Sequence, residues 1–493
     1  MKAPAAVLAA GLAGCAVGPG YHPAPVVPAA AQVGAGVRSD STRRFFDSLA
    51  TARRADTTKA ITPLPLRRVA AESLGDIAWL DILHDSVLTR LVETALRQNR
   101  DLTAAEARIR EFRADAGVAR APLFPSLTLN GSYATNQVAF AAFPVVAYHA
   151  VRLTGDVAWE LDFWGRTRRG IQAANADLAA QDAAARAAVL SLVSDVATGY
   201  LQLLELDQER VIAEQTLASR QATLALARQR FARGVISELD VRQFEAEVAV
   251  PAVRLAQVEQ LRARQEHALN VLLGQGPAAV PRGGSLAAAA RAVTVPDSLP
   301  ASLLARRPDV AEAERAYAAA TARVGVADAA RLPTISITGS YGSQAPTSGS
   351  LFGSQTKIYQ VLGGVSLPLF TGGQLVNEAR AARARADQAR AHYEQTVLTA
   401  LREAGDALVG VRAARDQMVA DETQTTALRR GLDLAQLRYR TGVSNYLEVL
   451  DAERGLFDAQ LALSQAQLQQ LTAAVQLYKA LGGSWNGGGA GGR

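Results

Sequence analysis

The alternation of apolar and polar side chains predicts four β-strands, which occur as two pairs. Residues 126–135 and 334–343 alternate between an apolar residue or glycine and a small or polar residue. The second strand of each pair is predicted at about 146–161 and at about 358–369. Such alternation over about ten residues is typical of a strand with one apolar and one polar face. It fits a soluble sheet, and it also fits an outer-membrane barrel, whose signal per strand is weak.

Each strand pair is followed by two helical tracts. The long tracts cover about 167–232 and 374–440, and the return helices cover about 238–274 and 446–482. At about 1.5 Å per residue, a long tract measures roughly 100 Å, which is several times the length of a globular helix. We therefore predict two very long helical hairpins.

The apolar positions of these tracts keep a heptad spacing, which indicates coiled-coil packing. In the last tract the spacing is interrupted by Arg454 and Ser464. The apolar seam packs within one hairpin, or the alanine-rich flanks also allow contact with other chains. No apolar run reaches the roughly 18 residues of a transmembrane helix, so none is predicted.

The whole order of elements occurs twice. Residues 101–274 match residues 309–482 at an offset of 208 residues, and a Gly/Pro-rich linker covers about 275–307. Internal repeats outrank local signals in the interpretation of a fold. We predict one repeated architecture, with the first repeat at 76–274 and the second at 308–482.

The first residues predict export and a lipid anchor. MKAPAAVLAAGLAGC has a basic start, a short apolar stretch and small residues before Cys15, the only cysteine in the sequence. Leu-Ala-Gly-Cys resembles the lipobox of bacterial lipoproteins, which implies a signal peptide at 1–14 and acylation of Cys15. The alternative is an accidental apolar start with a buried cysteine. Ala16 after the cysteine favours the outer membrane, by the same resemblance. Residues 15–75 are rich in proline and alanine and predict an extended tether.

Composition excludes several function classes. The chain is 49% hydrophobic but only 5% aromatic, which suggests long helices packed through small side chains. The net charge of +6 is spread among interspersed charges of both signs, so no nucleic-acid partner is predicted. A single cysteine excludes a disulfide framework, and the five scattered histidines lack ligand spacing. The glycine-rich end at 483–493 opens no helix and predicts a flexible tail. We predict no metal, no cofactor and no enzyme.

The architecture and several short motifs together resemble the TolC-like outer-membrane efflux channels, in the lipoprotein branch that serves RND-type tripartite systems. The most specific motifs are Leu-Ala-Arg-Arg-Pro-Asp at 304–309, Ala-Arg-Leu-Pro at 330–333 and Pro-Leu-Phe-Thr-Gly-Gly at 368–373. The resemblance covers the chain from Cys15 to Gly483. It implies a mainly α fold with a membrane β-barrel, in a homotrimer. The barrel would have about 12 strands and would continue into a periplasmic α-barrel of as many helices.

The resemblance also implies a function. The trimer would be a passive duct in the cell outer membrane, docked to a periplasmic adaptor protein and to an inner-membrane transporter of RND type. It would carry small molecules such as drugs and toxic compounds, and it would open at the periplasmic helix tips. One alternative is the same fold serving type I protein secretion. Another is a structural periplasmic coiled-coil lipoprotein, which predicts no strands at the four positions above.

The corners between long and return helices are the candidate site. In each corner an aromatic residue precedes a glycine, and a Ser or Asn follows with an acid three positions later. In the first corner these are Phe231, Gly234, Ser237 and Asp240, and in the second corner they are Tyr439, Gly442, Asn445 and Glu448. Ser or Asn followed by an acid at this spacing predicts a helix N-cap with a capping box, and the acid also favours the helix dipole.

Capping does not explain Asp451, which lies further into the return helix and matches Gln243 of the first repeat. By resemblance to the family, acids at the positions of Glu448 and Asp451 lie near a gate. Three copies of a carboxylate around a narrow tube favour cations. We predict that Asp451, with Glu448 and Asp240 behind it, lines the periplasmic aperture.

The aromatic residues of the corners, Tyr439 and Phe231, are predicted to pack where the helices must separate on opening. Ser444 stands where some family members carry an arginine. The sequence therefore does not supply the basic partner for an interchain salt bridge at this position.

Overall fold

The computed structural model describes residues 17–20, 85–138, 146–292 and 307–483. The predicted signal peptide at 1–14, Cys15, and most of the tether and of the tail lie outside the described residues. Within the described ranges the chain is mostly helical and contains four strands. In chain order the elements are α1 (Ser86–Gln98), α2 (Arg100–Arg120), β1 (Ser126–Val138), β2 (Val146–Leu161), α3 (Arg166–Ala232), α4 (Glu238–Leu272), α5 (Leu286–Ala292), α6 (Pro308–Ala329), β3 (Thr334–Ala345), β4 (Lys357–Ser366), α7 (Gln374–Arg440) and α8 (Tyr446–Ala480).

The predicted mainly α fold with a few strands is confirmed, and the strands occupy the four predicted places. Their presence contradicts the alternative of a purely structural coiled coil. The last strand, β4, ends at Ser366, before the predicted boundary at 369. Pro368 explains the difference, because proline has no N–H to donate to a β-ladder.

The return helices end at glycines with left-handed backbone. Gly274 has φ +70° and Gly482 has φ +77°. Glycine adopts this left-handed conformation at helix ends without the steric penalty of a Cβ atom. After α4, the Gln275 N–H donates to the Asn270 carbonyl at 2.8 Å, and after α8 the Gly483 N–H donates to the Tyr478 carbonyl at 3.1 Å. The two repeats therefore end their return helices in the same way.

The strands form one antiparallel sheet in the order β1-β2-β3-β4. Its register places Thr128 opposite Asp156, Asp156 opposite Ser340, and Tyr341 opposite Tyr359. Strands β1 and β4 are the two edges, and one side of each pairs with no other strand among the described residues.

The chain divides into two compact units. The first contains the described residues of 17–20, 108–182 and 312–395, and the second contains those of 85–107, 183–311 and 396–483. In the first unit, Trp164 Nε1 donates to the Pro333 carbonyl at 2.7 Å, and Arg383 pairs with Asp328 at 2.8 Å.

The second unit contains the main apolar core. Its fully buried side chains come from α1, α3, α4, α5 and α8 and include Leu88, Val92, Tyr200, Leu201, Leu269, Leu286 and Leu471. Tyr200 also makes polar contacts: its hydroxyl donates to Asp85 at 2.7 Å and accepts from the Gly283 N–H at 2.9 Å. Asp85 in turn caps α1 through the N–H groups of Val87 and Leu88.

One helix, α3, is long and apolar enough to cross a membrane by length and composition, with a stretch of mean hydropathy 1.4. However, 61% of that stretch is buried within the protein. Val196 and Leu201 of α3 belong to the core of the second unit. We therefore interpret α3 as a core helix.

Candidate functional site: the helix corners and the sheet faces

The first corner is a Schellman motif. The Val235 N–H donates to the Arg230 carbonyl at 3.0 Å, and the Gly234 N–H donates to the Phe231 carbonyl at 2.8 Å. Gly234 has φ +70°, a conformation that costs other residues energy. The glycine therefore reverses the chain at the end of α3.

The second corner repeats this geometry. The Val443 N–H donates to the Arg438 carbonyl at 2.9 Å, and the Gly442 N–H donates to the Tyr439 carbonyl at 3.2 Å. Gly442 has φ +76°. The repeated glycine of the sequence is thus a repeated backbone requirement.

Ser237 begins α4 with a complete capping box. The Ser237 Oγ accepts from the Asp240 N–H at 3.3 Å, and an Asp240 carboxylate oxygen accepts from the Ser237 N–H at 2.9 Å. Asp240 therefore has a local structural role, as its position predicts.

The prediction of a capping hydrogen bond from Asn445 in the second corner is wrong. Asn445 occupies the N-cap position of α8, but its side chain makes no capping hydrogen bond. Glu448 pairs instead with Arg438 of α7 at 3.6 Å. In the first corner the matching arginine, Arg230, is engaged by Tyr439. The two corners therefore share their backbone but differ in how they use their acids.

An aromatic layer joins the two corners. The Arg230 guanidinium donates to the Tyr439 hydroxyl and lies 5.1 Å from the centre of its ring. Tyr446 packs edge-on to Tyr439 with ring centres 5.4 Å apart, and Phe244 lies 4.2 Å from Tyr446. Tyr439 thus packs between the two corners, against Arg230 and Tyr446.

Phe231, at the end of α3, is 44% exposed within the chain, and its predicted packing at the corner stays a prediction. Phe244 and Tyr446, which no sequence motif marks, also pack between the corners. Both belong to a small apolar cluster with Val241.

An ion network with a buried Arg–Glu pair at its centre lies further along the return helices. Arg220 of α3 pairs with Glu247 of α4 at 2.9 Å, and the Arg454 Nε of α8 lies 2.8 Å from the same carboxylate. The Arg220 guanidinium also lies 5.6 Å from the centre of the Phe457 ring. We refer to Arg220, Glu247 and Arg454 as the ion network. It connects the two helical hairpins.

The neighbouring Glu453 is also buried, and burial raises the pKa of its carboxyl group. Arg220 opposes this shift through its charge. The Tyr446 hydroxyl lies 3.5 Å from Glu453, and burial, followed by that carboxylate, raises the pKa of the tyrosine. The sequence carried one signal for this region, because Arg454 interrupts the heptads of α8.

The three predicted gate acids have different surroundings. Asp240 is bonded to Ser237, and Glu448 is paired with Arg438. Asp451 is exposed and has no ion pair within the described part of the chain. It contributes to the raised pKa of Arg454, after the hydrogen bond and charge of Glu247. Asp451 is thus the acid of this group that no local contact explains.

The sheet in the first unit has one apolar and one polar face. The apolar face carries exposed side chains, namely Leu127, Leu129, Tyr133, Val157, Ile337, Tyr341, Tyr359, Val361 and Val365. Along β2, the distance from the residue opposite Tyr133 to Trp159 is about 26 Å at the usual rise per residue. Because strands of outer-membrane barrels are tilted by about 35–45°, this length covers about 20 Å of membrane height, which is most of the roughly 25 Å apolar band that aromatic residues border.

The polar face of the sheet contains a hydrogen-bonded carboxylate. Asn130 Nδ2 donates to Asp156 at 2.6 Å, and the Thr154 hydroxyl donates to the same oxygen at 3.3 Å. In a soluble sheet the apolar face is covered by the core, whereas the apolar face of this sheet is exposed.

Among the described residues, no group of three or more His, Cys, Asp or Glu is placed to hold a metal ion.

Solved structures identify the class of protein. The outer-membrane channel OprN is similar with a TM-score of 0.76 and 32% identity, over 83% of this chain and 92% of OprN. The open state of the MtrE outer membrane channel of Neisseria gonorrhoeae is similar with a TM-score of 0.72 and 30% identity, over 81% of this chain and 89% of MtrE. The fold is therefore that of the outer-membrane channels.

The family follows from the sequence comparisons. The family model described as outer membrane efflux protein matches residues 91–275 and 299–483. The chain is 35% identical to the antibiotic efflux pump outer membrane protein ArpC of Pseudomonas putida, over 97% of this chain and 95% of ArpC. It is 34% identical to the outer membrane protein OprJ of Pseudomonas aeruginosa, over 84% of this chain and 88% of OprJ. The chain belongs to the outer membrane efflux protein family, and it is an efflux channel of the outer membrane.

Proposed function

We propose that three copies of the chain form a passive duct that carries small molecules from a periplasmic adaptor and an RND-type inner-membrane transporter to the outside. The relative ArpC is named as part of an antibiotic efflux pump, which supports small, drug-like substrates. An energy source would lie in the partner transporter. We expect no catalytic activity from this chain.

The sheet edges support the assembly of several copies. Four strands are too few to close a barrel, and the free sides of β1 and β4 would be unsatisfied in lipid. Pairing β4 of one copy with β1 of the next removes every edge. Three copies then supply about 12 strands, within the range of outer-membrane barrels.

Two features support a lipid anchor at Cys15, which itself lies outside the described residues. The Val17 N–H donates to the Trp164 carbonyl at 3.1 Å, and Arg169 donates to the Gly18 carbonyl at 3.2 Å. Trp164 follows the end of β2, so the chain just after Cys15 lies beside the end of a strand that we place in the membrane. The mass of the N-terminal peptide from membranes tests for the acyl groups.

The proposed gate is the corner region, and Asp451 is its pore-lining acid. The observation that carries this is the exposure of Asp451 beside a corner whose other acids are both paired. A ring of carboxylates would raise the local concentration of cations in a constriction. Glu448 and Asp240 would lie behind it and support the corner.

The test compares Asp451→Asn with the wild type in a planar bilayer. We expect the variant to lose part of the cation preference and to change its conductance. The matched control is Asp433→Asn, which removes a carboxylate of α7 that is 61% exposed and faces Arg430. If Asp451→Asn and the control both leave ion preference and conductance unchanged, Asp451 does not line the pore.

Type I protein secretion remains the second candidate for this fold, but no contact in the described residues favours it. Crosslinking in cells followed by identification of the captured inner-membrane transporter separates the two functions. An RND-type transporter supports efflux, and an ABC-type transporter supports secretion.

A further inference from the structure

A buried acid pair lies between α3, α4 and α8, away from the corners. Glu205 and Glu209 are one turn apart on α3 and are only 3% and 4% exposed. Arg254 of α4 pairs with Glu209. Ser464 of α8 is fully buried on the other side of Glu205. One guanidinium therefore faces two carboxyl groups.

Several polar atoms at this place are not satisfied. Glu205 Oε1, Arg254 Nε and Ser464 Oγ are buried without a hydrogen bond of normal geometry. An unsatisfied buried carboxylate oxygen is costly, and more so when it is charged. Two buried carboxyl groups one helical turn apart avoid this cost when they share one proton, because two neighbouring negative charges disfavour ionisation of both groups.

The electrostatics agree with the geometry. Burial, and then the neighbouring Glu209, raise the pKa of Glu205 to about 8. The hydroxyl of Ser464 and the charge of Arg254 act in the opposite direction. Gln208 and Gln467 beside the pair are uncharged and bond to each other at 3.0 Å.

We propose that Glu205 and Glu209 bind one proton in common at neutral pH, and that releasing this proton to solvent loosens the contact of α8 with α3 and α4. After release, two buried carboxylates share one arginine, so the pair repels itself. Since α8 carries Asp451, the loosening would favour opening at the corner. Only this last consequence rests on the proposed channel function.

The proton site is tested by thermal unfolding of the solubilised full chain between about pH 5 and pH 9. The folded state keeps a proton that the unfolded chain releases at lower pH, so wild-type stability falls as pH rises to about 8 and then levels off. Glu205→Gln keeps the shape and carries no charge, so we expect it to lose this part of the pH dependence. The control Glu259→Gln removes an exposed carboxylate of α4 and keeps the wild-type profile.

Ser464→Ala provides a second test, which measures the pH at which the stability profile levels off. A purely structural role of Glu205 would not change this pH. Because the hydroxyl lowers the pKa of Glu205, we expect the variant to level off at a higher pH than the wild type. Parallel profiles for the wild type and Glu205→Gln, with no shift in Ser464→Ala, would overturn the shared proton.

Loosening is tested by hydrogen–deuterium exchange at one pH above 8. We expect peptides of α8 around Ser464 to exchange faster in the wild type than in Glu205→Gln, and equal rates would overturn this step. In bilayers, we expect alkaline pH to raise the open probability of the wild type but not of Glu205→Gln. A stability difference without a conductance difference would keep the proton site and overturn its link to opening. These outcomes do not depend on Asp451→Asn, which tests the channel function separately.

Discussion

At the scale of single residues, the Arg220–Glu247 pair of the ion network differs from exposed ion pairs of the helices in its burial. The side chains of Arg220 and Glu247 are 3% and 7% exposed, whereas the Arg242–Glu238 pair is 66% exposed on both sides. Surface pairs contribute little, but removing one partner of a buried pair leaves an uncompensated charge. Arg220 also stacks on Phe457, so its removal opens a contact with α8.

We predict that Arg220→Ala lowers the free energy of unfolding by about 1–3 kcal/mol, because the buried Glu247 then keeps Arg454 as a partner but loses its bond to Arg220. Thermal or denaturant unfolding of the solubilised protein measures this. The control Arg242→Ala removes an exposed arginine of α4 and is expected to leave the free energy of unfolding unchanged. Equal losses of unfolding free energy in both variants would show that the buried pair stabilises the protein no more than an exposed pair does.

At the scale of elements, the corners depend on glycine at one position each. Gly442 has φ +76°, and a Cβ atom added there meets nothing within 4 Å. The need for glycine is therefore conformational and not steric. Gly431, within α7, also has free space around an added Cβ, but its backbone is helical.

These two glycines predict effects of opposite sign. Gly442→Ala should destabilise the protein by about 1–2 kcal/mol, because alanine is strained in the left-handed region. Gly431→Ala should stabilise it by about 0.5–1 kcal/mol, because alanine is the better helix former. Unfolding measurements on both variants decide the matter. A loss at both positions would mean that contacts between copies of the chain, and not backbone conformation, control these sites.

The corners also show how far local sequence predicts structure. The glycines and the Ser237–Asp240 box were predictable, because the interacting groups lie within a few positions of each other. At the second corner Asn445 makes no capping hydrogen bond, and Glu448 pairs with Arg438 of the preceding helix, which the residues next to the cap did not predict.

The contacts that join the two hairpins could not be predicted. Glu247 and Arg454 lie on α4 and α8, and their meeting depends on how the two hairpins pack side by side. The interruptions at Arg454 and Ser464 marked the right places on α8, since one binds Glu247 and the other faces Glu205. The interruptions did not predict which residues of the other helices these side chains contact. The period-two pattern, by contrast, predicted the strands well, because it is a property of each strand alone.

At the scale of the whole molecule, the sheet requires a surrounding that water does not supply. Leu129 is 73% exposed and Tyr359 is 82% exposed, both on the apolar face. Thr128 points to the polar face, opposite Asp156. Lipid outside and water inside satisfy both faces, which agrees with the outer-membrane location of the family.

The two faces therefore predict opposite tolerance to the same new charge. Leu129 lies opposite Gly155, which is midway along β2 between Val151, the residue opposite Tyr133, and Trp159. Leu129→Arg therefore places a charge near the middle of the apolar band. We expect a cost of about 2–4 kcal/mol and a loss of heat-resistant trimers from outer-membrane fractions. Thr128→Arg, one position away, faces the carboxylate of Asp156 and should assemble like the wild type. If instead Leu129→Arg assembles normally while Thr128→Arg fails, the apolar face lines the inside of the assembly and the polar face meets the surroundings, which would reverse the orientation of the sheet.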